Sequence, residues 1–257
     1  MPPLYALVDP MTEKNRPDTL YRAPRDEISP FVFDEQVADV FPDMIQRSVP
    51  GYHATLSVIS TVTAEYVQPH SRLYDLGCSL GAATLAMRRA VRSDDCEIIA
   101  VDNSAAMVQR CRKLMAREGG AVPVRVLEQD ILETAIENAA VVILNYTLQF
   151  IPAAQRADLL SRIHAGLLPG GVLMLSEKIV LEDEQENATM NVLHRRFKRL
   201  NGYDDLEIAQ KRAALENVLV PETLAVHRAR LKSTGFAPVL PCLQFLNFIT
   251  LMARKPG

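Results

Sequence analysis

The sequence has few of the residues that build metal sites or disulfide frameworks. Its 257 residues include four cysteines and five histidines. The cysteines show neither a paired pattern nor the spacing of metal ligands, which predicts reduced thiols in a cytoplasmic protein. The scattered histidines give no zinc motif, so no metal site is expected.

The sequence also lacks long hydrophobic runs and a large excess of charge of one sign. Its apolar runs are short and interrupted, well below the ~20 residues of a membrane-spanning helix, and we find no signal peptide. The net charge of -3 and the pI near 6.0 argue against an extensive nucleic-acid-binding surface. With 48% hydrophobic residues, the chain is expected to form one large cytoplasmic domain with elaborations.

The most informative segment is a turn of small residues in the first half of the chain. A short apolar strand over residues 73–76 runs into this turn and then into a helical segment. Because Gly77 and Gly81 have no Cβ and Ser79 is small, a nucleoside can approach the backbone closely. Ser79 replaces the second glycine of the dinucleotide fingerprint, so a pyrophosphate ligand is disfavoured.

Apolar and β-branched runs predict three further strands, and each is followed by a polar residue. These residues are Asp102, Asp130 and Asn145. Taken singly, Asp102 is also explained as a solvated carboxylate at a strand end, and Asn145 as a turn residue. Ligands of open α/β sheets bind at the carboxyl ends of the strands, so the series favours a ligand site there.

The remaining patterns are mainly helical. Residues 1–30 contain six of the 16 prolines and are expected to form a flexible arm. Residues 31–257 are expected to form one domain, with a helical cap over 31–70 and a helical insertion over 182–218. The chain should end in an antiparallel hairpin at the sheet edge, with strands over residues 236–239 and 245–253.

Two residues near the predicted ligand have alternative interpretations. Tyr52 lies at the junction of two predicted cap helices. It is either a packing aromatic or a cap whose hydroxyl reaches the ligand, and the sequence does not separate the two. From the residues alone, Cys78 is best explained as a small apolar filler of the turn.

The turn and the acidic strand ends together resemble the first motifs of class I S-adenosylmethionine-dependent methyltransferases. The resemblance implies an α/β, Rossmann-like fold. The expected sheet is mostly parallel and seven-stranded, with an antiparallel edge strand, an N-terminal helical cap and a helical insertion before the last hairpin. In that pattern Asp102 holds the ribose hydroxyls, and Asp130 reaches the adenine amino group.

Longer segments closely resemble one family within this superfamily, carboxy-S-adenosyl-L-methionine synthase. They cover residues 33–52, 74–84, 197–203 and 210–218, and the likeness extends from about residue 31 to residue 253. It implies conversion of S-adenosylmethionine and prephenate to carboxy-S-adenosylmethionine and phenylpyruvate by a homodimer. It also implies that the product passes to a partner enzyme that carboxymethylates wobble uridine in tRNA.

Carried over residue by residue, the resemblance implies contacts to S-adenosylmethionine from Tyr52, Gly77, Cys78, Ser79, Asp102, Asn103, Asp130, Ile131, Asn145 and Arg212. Arg212 is the candidate catalytic residue, because a guanidinium can hold the new carboxylate through two hydrogen bonds. Without the resemblance, Arg212 is better explained as a solvated arginine on a charged helix. The basic run over residues 194–199 either attracts the dianionic substrate or is an exposed helix face.

Two alternative functions remain open from the sequence. One is an ordinary S-adenosylmethionine-dependent methyltransferase acting on a small acidic molecule. The other is a non-catalytic module that binds the nucleoside. The recognised loops contain no histidine or lysine that stands out as a general base, which fits a reaction in which the substrate supplies both the base and the carboxyl group.

Overall fold

The computed structural model describes residues 16–92 and 95–257. Eight α-helices lie in these segments: α1 Glu35–Ser48, α2 Tyr52–Tyr66, α3 Ala82–Ala90, α4 Ala105–Glu118, α5 Ala153–Gly166, α6 Glu184–Leu200, α7 Asp205–Leu215 and α8 Leu224–Ser233. The strands are β1 Arg72–Leu76, β2 Glu97–Asp102, β3 Val124–Glu128, β4 Ala139–Asn145, β5 Leu167–Val180, β6 Glu222–Thr223, β7 Val239–Phe245 and β8 Phe248–Arg254.

The strands form a mixed sheet in the order β3-β2-β1-β4-β5-β8-β7, and the two-residue β6 pairs with β5 off this path. Strands β1 to β5 run parallel to one another, whereas β8 is antiparallel to both neighbours. The predicted fold is confirmed, with one difference in detail. The antiparallel strand is β8, which lies one position inside the edge, and β7 forms the edge itself.

Helices cover both faces of the sheet because its central strands are apolar on both sides. Every residue of β4 before Asn145 is buried. Val142 and Leu144 pack with α5 and α8 on one face, whereas Val141 and Ile143 pack with α2 and α3 on the other. Each such buried side chain contributes roughly 1.5–3 kcal/mol, so the centre of the sheet is rigid and fixes where the strands end.

Two residues fix where the cap helices begin. The Asp34 carboxylate accepts a hydrogen bond from the amide of Val37 at 2.9 Å and caps the N-terminus of α1. Gly51, with φ of +74°, turns the chain from α1 into α2. This turn places Tyr52 at the first position of α2, over the sheet.

The predicted flexible arm over residues 1–30 needs correction in its second half. Residues 1–15 lie outside the described segments. Residues 16–30 pack against α7: Asp18 is buried, and Gln210 donates to a backbone carbonyl of this segment at 2.8 Å. The prolines set the irregular backbone, but long-range hydrogen bonds hold it in place, and a local pattern does not reveal such bonds.

Two further predictions differ from the structure. The insertion predicted over residues 182–218 is two helices, because the chain turns at Gly202, where φ is +88°. The first strand of the final hairpin is β7, Val239–Phe245, rather than residues 236–239. Most of β7 is exposed, as expected at a sheet edge. Its residues are mainly apolar, but Pro241 interrupts them, and a proline inside an apolar run argues against a strand except at a sheet edge.

Candidate active site

The turn after β1 is held tightly against the neighbouring strand ends. The amides of Gly77 and Cys78 donate to the carbonyl of Val101 at 2.8 and 2.9 Å. Gly77 has a φ of +82°, and a Cβ there would lie 2.4 Å from the Thr147 side chain. Both the positive φ and the close approach of Thr147 therefore require glycine at this position. The turn joins the ends of β1, β2 and β4 into one surface.

Asp102, at the end of β2, is fixed by two backbone amides. Its Oδ2 accepts from the amide of Ser79 at 2.8 Å, and its Oδ1 accepts from the amide of Ser104 at 2.9 Å. Burial raises the pKa of Asp102, while these amides oppose the shift. Each carboxylate oxygen accepts more than one hydrogen bond, so both oxygens keep capacity for a ligand diol. Asn103 follows, with an exposed side chain.

The loop after β3 is organised by Asp130. Its Oδ1 accepts from the amide of Leu132 at 2.8 Å, and its carbonyl accepts from the Thr134 hydroxyl at 3.0 Å. Ile131 points inward and is buried. The segment thus presents a fixed carboxylate, which suits the polar edge of a purine, next to an apolar residue, which suits its face.

The end of β4 presents an acceptor without a protein partner. Asn145 Oδ1 is buried, and no residue of the described segments donates to it. The next residue, Tyr146, has a φ of +61°, and its hydroxyl lies 3.2 Å from the Thr55 hydroxyl. A buried acceptor without a donor is costly in a free protein, so Asn145 is arranged to meet a donor that the described part of the chain does not supply.

Tyr52, at the start of α2, covers the end of β4. Its ring is buried, and the ring centroid lies 6.4 Å from that of Tyr146. Burial raises the pKa of Tyr52, and the negative charge of Asp75 raises it further. The hydroxyl therefore stays protonated and can donate to a ligand.

Cys78 is a buried thiol rather than a reactive one. A hydrogen bond with Cys111 raises the pKa of Cys78, and burial raises it further. The packing of the two cysteines in one apolar cluster agrees with the interpretation of Cys78 as a filler of the turn. Its backbone belongs to the turn at the strand ends, on the surface where the other candidate residues lie.

Arg212 lies apart from the strand-end residues, in the last turn of α7. Its side chain is exposed, and it forms no hydrogen bond or ion pair within residues 16–92 and 95–257. Helix α7 packs against α6, and the positive charge of Arg212 lowers the pKa of Lys178 in β5 and of Lys198 in α6. The structure thus groups Arg212 with other cations rather than with the carboxylates of the sheet.

Two further buried carboxylates lie beside the site: the sequence places the acidic Asp75 at the end of the first strand but assigns it no ligand contact, and it does not single out Glu177. Asp75 Oδ2 accepts from the Thr84 hydroxyl at 2.6 Å, and its Oδ1 has no partner among the described residues. Glu177 accepts from the amides of Leu148 and Gln149 at 2.9 and 3.0 Å. Burial raises the pKa of Asp75 to about 6 and that of Glu177 to about 8. Both residues lie near carboxyl ends of strands, the same signal that identified Asp102.

The described segments contain no group of three or more metal-binding side chains. They also contain no helix that is long and apolar enough to cross a bilayer. A surface cavity of about 530 Å³ is lined in part by Asn138, Arg162 and Pro169. It lies where β4 and β5 begin, so it is on the opposite edge of the sheet from the candidate site.

Comparison with solved structures agrees with the observed fold. An O-methyltransferase family protein from Burkholderia thailandensis superposes with a TM-score of 0.61 at 18% identity, covering 88% of this chain and 61% of that one. Magnesium protoporphyrin IX methyltransferase from Synechocystis, solved with bound S-adenosylmethionine, gives a TM-score of 0.55 at 16% identity and covers 88% and 86%. At these identities the likeness concerns the fold alone.

Sequence comparison is more specific. Residues 73–171 match a family model described as a methyltransferase domain. Carboxy-S-adenosyl-L-methionine synthase from Trichlorobacter lovleyi is 55% identical over 246 residues, which cover 95% of this chain and 100% of that protein. The protein of the same name from Vibrio cholerae is 52% identical and covers 94% and 98%. Identity at this level extends through the cap, the sheet and the insertion, and it confirms the resemblance noted from the sequence: the chain belongs to the carboxy-S-adenosyl-L-methionine synthase family.

Proposed function

We propose that this chain is a transferase that converts S-adenosylmethionine and prephenate to carboxy-S-adenosylmethionine and phenylpyruvate. The observation that carries the proposal is the 55% identity to a synthase of that name along 95% of the chain. The strand-end acceptors support it, because S-adenosylmethionine offers donors from its ammonium, ribose and adenine groups.

S-Adenosylmethionine binds, in this proposal, at the carboxyl ends of β1 to β4. Asp102 accepts from the ribose hydroxyls, and Asp130 with Ile131 holds the adenine. The orphan oxygen of Asn145 meets a ligand donor, which removes the cost of leaving it unpaired. The other proposed contacts come from Tyr52, Gly77, Cys78, Ser79 and Asn103.

Arg212 binds the carboxylate of the product, in this proposal, within a homodimer. Several large apolar side chains of α6 and β7 are exposed in the single chain, including Val192, Leu200 and Phe245. Such a surface supports pairing with a second copy. In this proposal dimerisation covers α6 and fixes the exposed guanidinium of Arg212. Arg212 then binds the product carboxylate either in its own subunit or across the interface.

The proposed reaction balances without a base from the protein. Prephenate loses carbon dioxide and expels hydroxide as its ring becomes aromatic, which leaves phenylpyruvate. Hydroxide takes a proton from the sulfonium methyl group and becomes water. The resulting ylide carbon attacks carbon dioxide and forms the new carbon–carbon bond. The protein positions the reactants and keeps bulk water out.

The product has a defined use in this proposal. A carboxymethyl donor serves a tRNA carboxymethyltransferase that modifies wobble uridine, and this enzyme itself makes no nucleic-acid contact. The reaction assigns the protein to the cytoplasm, where tRNA and both substrates are found.

The test is incubation of the purified protein with S-adenosylmethionine and prephenate. Phenylpyruvate and a nucleoside heavier than S-adenosylmethionine by one carbon dioxide are expected in equal amounts. Formation of S-adenosylhomocysteine with a methylated acid would instead identify a methyltransferase of a small acidic molecule. Nucleoside binding without any product would indicate a non-catalytic module.

A further inference from the structure

Four cationic side chains from three elements gather beside the candidate site. Lys178 is in β5, Lys198 is in α6, and Lys211 and Arg212 are in α7. The ring of His194, one helical turn before Lys198, lies 4.9 Å from that of Phe248, which is opposite Lys178. His194 and Lys211 both bond to Ser48, which brings α6 and α7 together at this point. We refer to these four residues as the basic cluster.

Only part of the charge in the basic cluster is balanced by the described protein. Lys211 Nζ lies 3.3 Å from the buried Asp18 carboxylate and donates to the Ser48 hydroxyl at 3.1 Å. In contrast, the side chains of Lys178, Lys198 and Arg212 form no hydrogen bond or ion pair with any residue in the described ranges. Three positive charges therefore face one another without a counter-ion.

The other ionisable groups around the basic cluster do not supply the missing negative charge. His194 is neutral, because burial lowers its pKa to about 3, and it donates to the Ser48 carbonyl at 2.8 Å. Asp43 is paired with Arg47 at 3.0 Å. Glu177 precedes Lys178 but points to the other side of β5 and is bound by two backbone amides.

This arrangement is costly unless an anion completes it. Lys198 is half-buried, and burial together with its positive neighbours lowers its pKa to about 7. Burial and Arg212 lower the pKa of Lys178 as well. Unpaired buried cations of this kind are unfavourable in a free protein, whereas clustered cations in a cleft raise the local concentration of anionic ligands.

The basic cluster lies next to the proposed nucleoside site. In the register of the sheet, Asn145 is opposite Ser176, and Lys178 is two residues further along β5. Phe248 is opposite Lys178, and its ring lies 6.0 Å from that of Tyr146. Only the side chain of Phe248 therefore separates Lys178 from a ligand that lies beside Tyr146.

We propose that Lys178 and Lys198 bind the carboxylates of the dianionic second substrate, beside Arg212. This inference rests on the proposed function and adds to it the residues that recognise the acid. A lysine ammonium offers three donors on a flexible stem, so the pair suits two separate carboxylates on one small molecule. Lys211, already held by Asp18, positions α7 and does not contact the substrate.

Binding of the dianion is expected to be coupled to proton uptake by Lys198. An anion raises the pKa of Lys198 from its value near 7 in the free protein, so binding takes up protons around neutral pH. Affinity for the dianion should fall as the pH rises above 7. Calorimetric titration of the protein with prephenate in two buffers of different ionisation enthalpy measures the proton uptake directly.

The variants Lys178→Met and Lys198→Met test the assignment, because methionine keeps the length of the side chain and removes its charge. For each, the KM for prephenate should rise about 10- to 100-fold, as expected when a charged hydrogen bond is lost. The KM for S-adenosylmethionine should stay within roughly twofold of the wild type. Lys198→Arg should recover much of the affinity for prephenate.

Arg196→Met is the matched control. Arg196 is exposed, on the side of α6 away from Lys198, and its removal changes the net charge by the same amount. Its KM for prephenate should remain near that of the wild type. Folding of every variant is checked by thermal unfolding, which should show no loss of stability for Lys198→Met.

The outcomes separate this inference from the proposed function. If the wild type makes phenylpyruvate and the two methionine variants keep its KM for prephenate, the inference is wrong and the function stands. If the wild type makes no phenylpyruvate, the proposed function is wrong, and calorimetry with prephenate decides the inference. Weaker binding in both variants supports it, whereas equal binding or no binding by the wild type overturns it.

Discussion

The two sides of the candidate site differ in the kind of hydrogen-bonding groups they leave without partners. The ends of β1 to β4 present acceptors: Asp75 and Asn145 each have an oxygen to which no residue in the described segments donates. The basic cluster presents donors: Lys178 and Lys198 have no acceptor among the described residues. The first side suits a cationic nucleoside and the second suits a dianion, so the contrast itself predicts two substrates of opposite charge.

The largest effect on the acceptor side is expected from Asp102→Ala. The change removes the diol acceptor and the anchor of the Ser79 and Ser104 amides. The Kd for S-adenosylmethionine, measured by calorimetry, should rise on the order of 100-fold. Asp158→Ala, which removes an exposed carboxylate on α5, is the control. Equal affinity in both variants would remove Asp102 from the site.

On the cationic side, Arg212→Leu tests the proposed contact with the product carboxylate. Carboxy-S-adenosylmethionine formation should fall about 30-fold, the loss expected from charge-assisted hydrogen bonds. The Kd for S-adenosylmethionine should change little, and Arg212→Lys should be intermediate. Product formation by Arg212→Leu at the rate of the wild type would show that the exposed arginine is only a solvated residue.

Asn145→Leu tests whether the buried Asn145 Oδ1, which has no donor in the described segments, accepts a hydrogen bond from S-adenosylmethionine. The Kd for S-adenosylmethionine should rise roughly 10-fold, because the ligand loses one acceptor. The free protein should be as stable as the wild type or more stable, because an unpaired buried oxygen is removed. Asn145→Asp keeps an acceptor and should retain binding. A loss of stability in Asn145→Leu would mean that Asn145 is already satisfied in the free protein.

The smallest effect is expected in the pH dependence of stability. The pKa of Lys198 falls from 10.5 to about 7 on folding, so the unfolded chain binds more protons between these pH values. The free energy of unfolding should therefore increase with pH across this window. Relative to Lys198→Met, the gain should be about 1 kcal/mol after screening by solvent. Denaturant unfolding of the wild type and of Lys198→Met at pH 7 and pH 9.5 measures this difference. The same change of unfolding free energy with pH in both proteins would contradict an unpaired Lys198 ammonium group.

The same two regions differ in how far the sequence alone predicts them. The acceptors lie directly after apolar strands, so the apolar run before Asn145 is a local signal that the structure follows. The basic cluster joins Lys178, Lys198 and Lys211, which meet only through tertiary packing. Within the run over residues 194–199, a helical pattern does not show which cation faces inward.

Specific members of that run illustrate the limit. Arg199 is paired with Asp205 at 2.7 Å, and Arg196 is exposed, whereas Lys198 turns into the cluster. The packing of residues 16–30 against Gln210 was not predicted, because its partner is far away in the chain. The final hairpin was predicted, but the bounds of β7 were not, because Pro241 interrupts its apolar residues.

The most direct test of the central claim uses prephenate labelled with ¹³C in the carboxyl group on its ring. After incubation with the wild-type protein and S-adenosylmethionine, mass spectrometry should find the label in carboxy-S-adenosylmethionine and unlabelled phenylpyruvate in equal amount. A nucleoside product without the label, or label found only as carbon dioxide, would contradict transfer of the carboxyl group between two substrates held side by side.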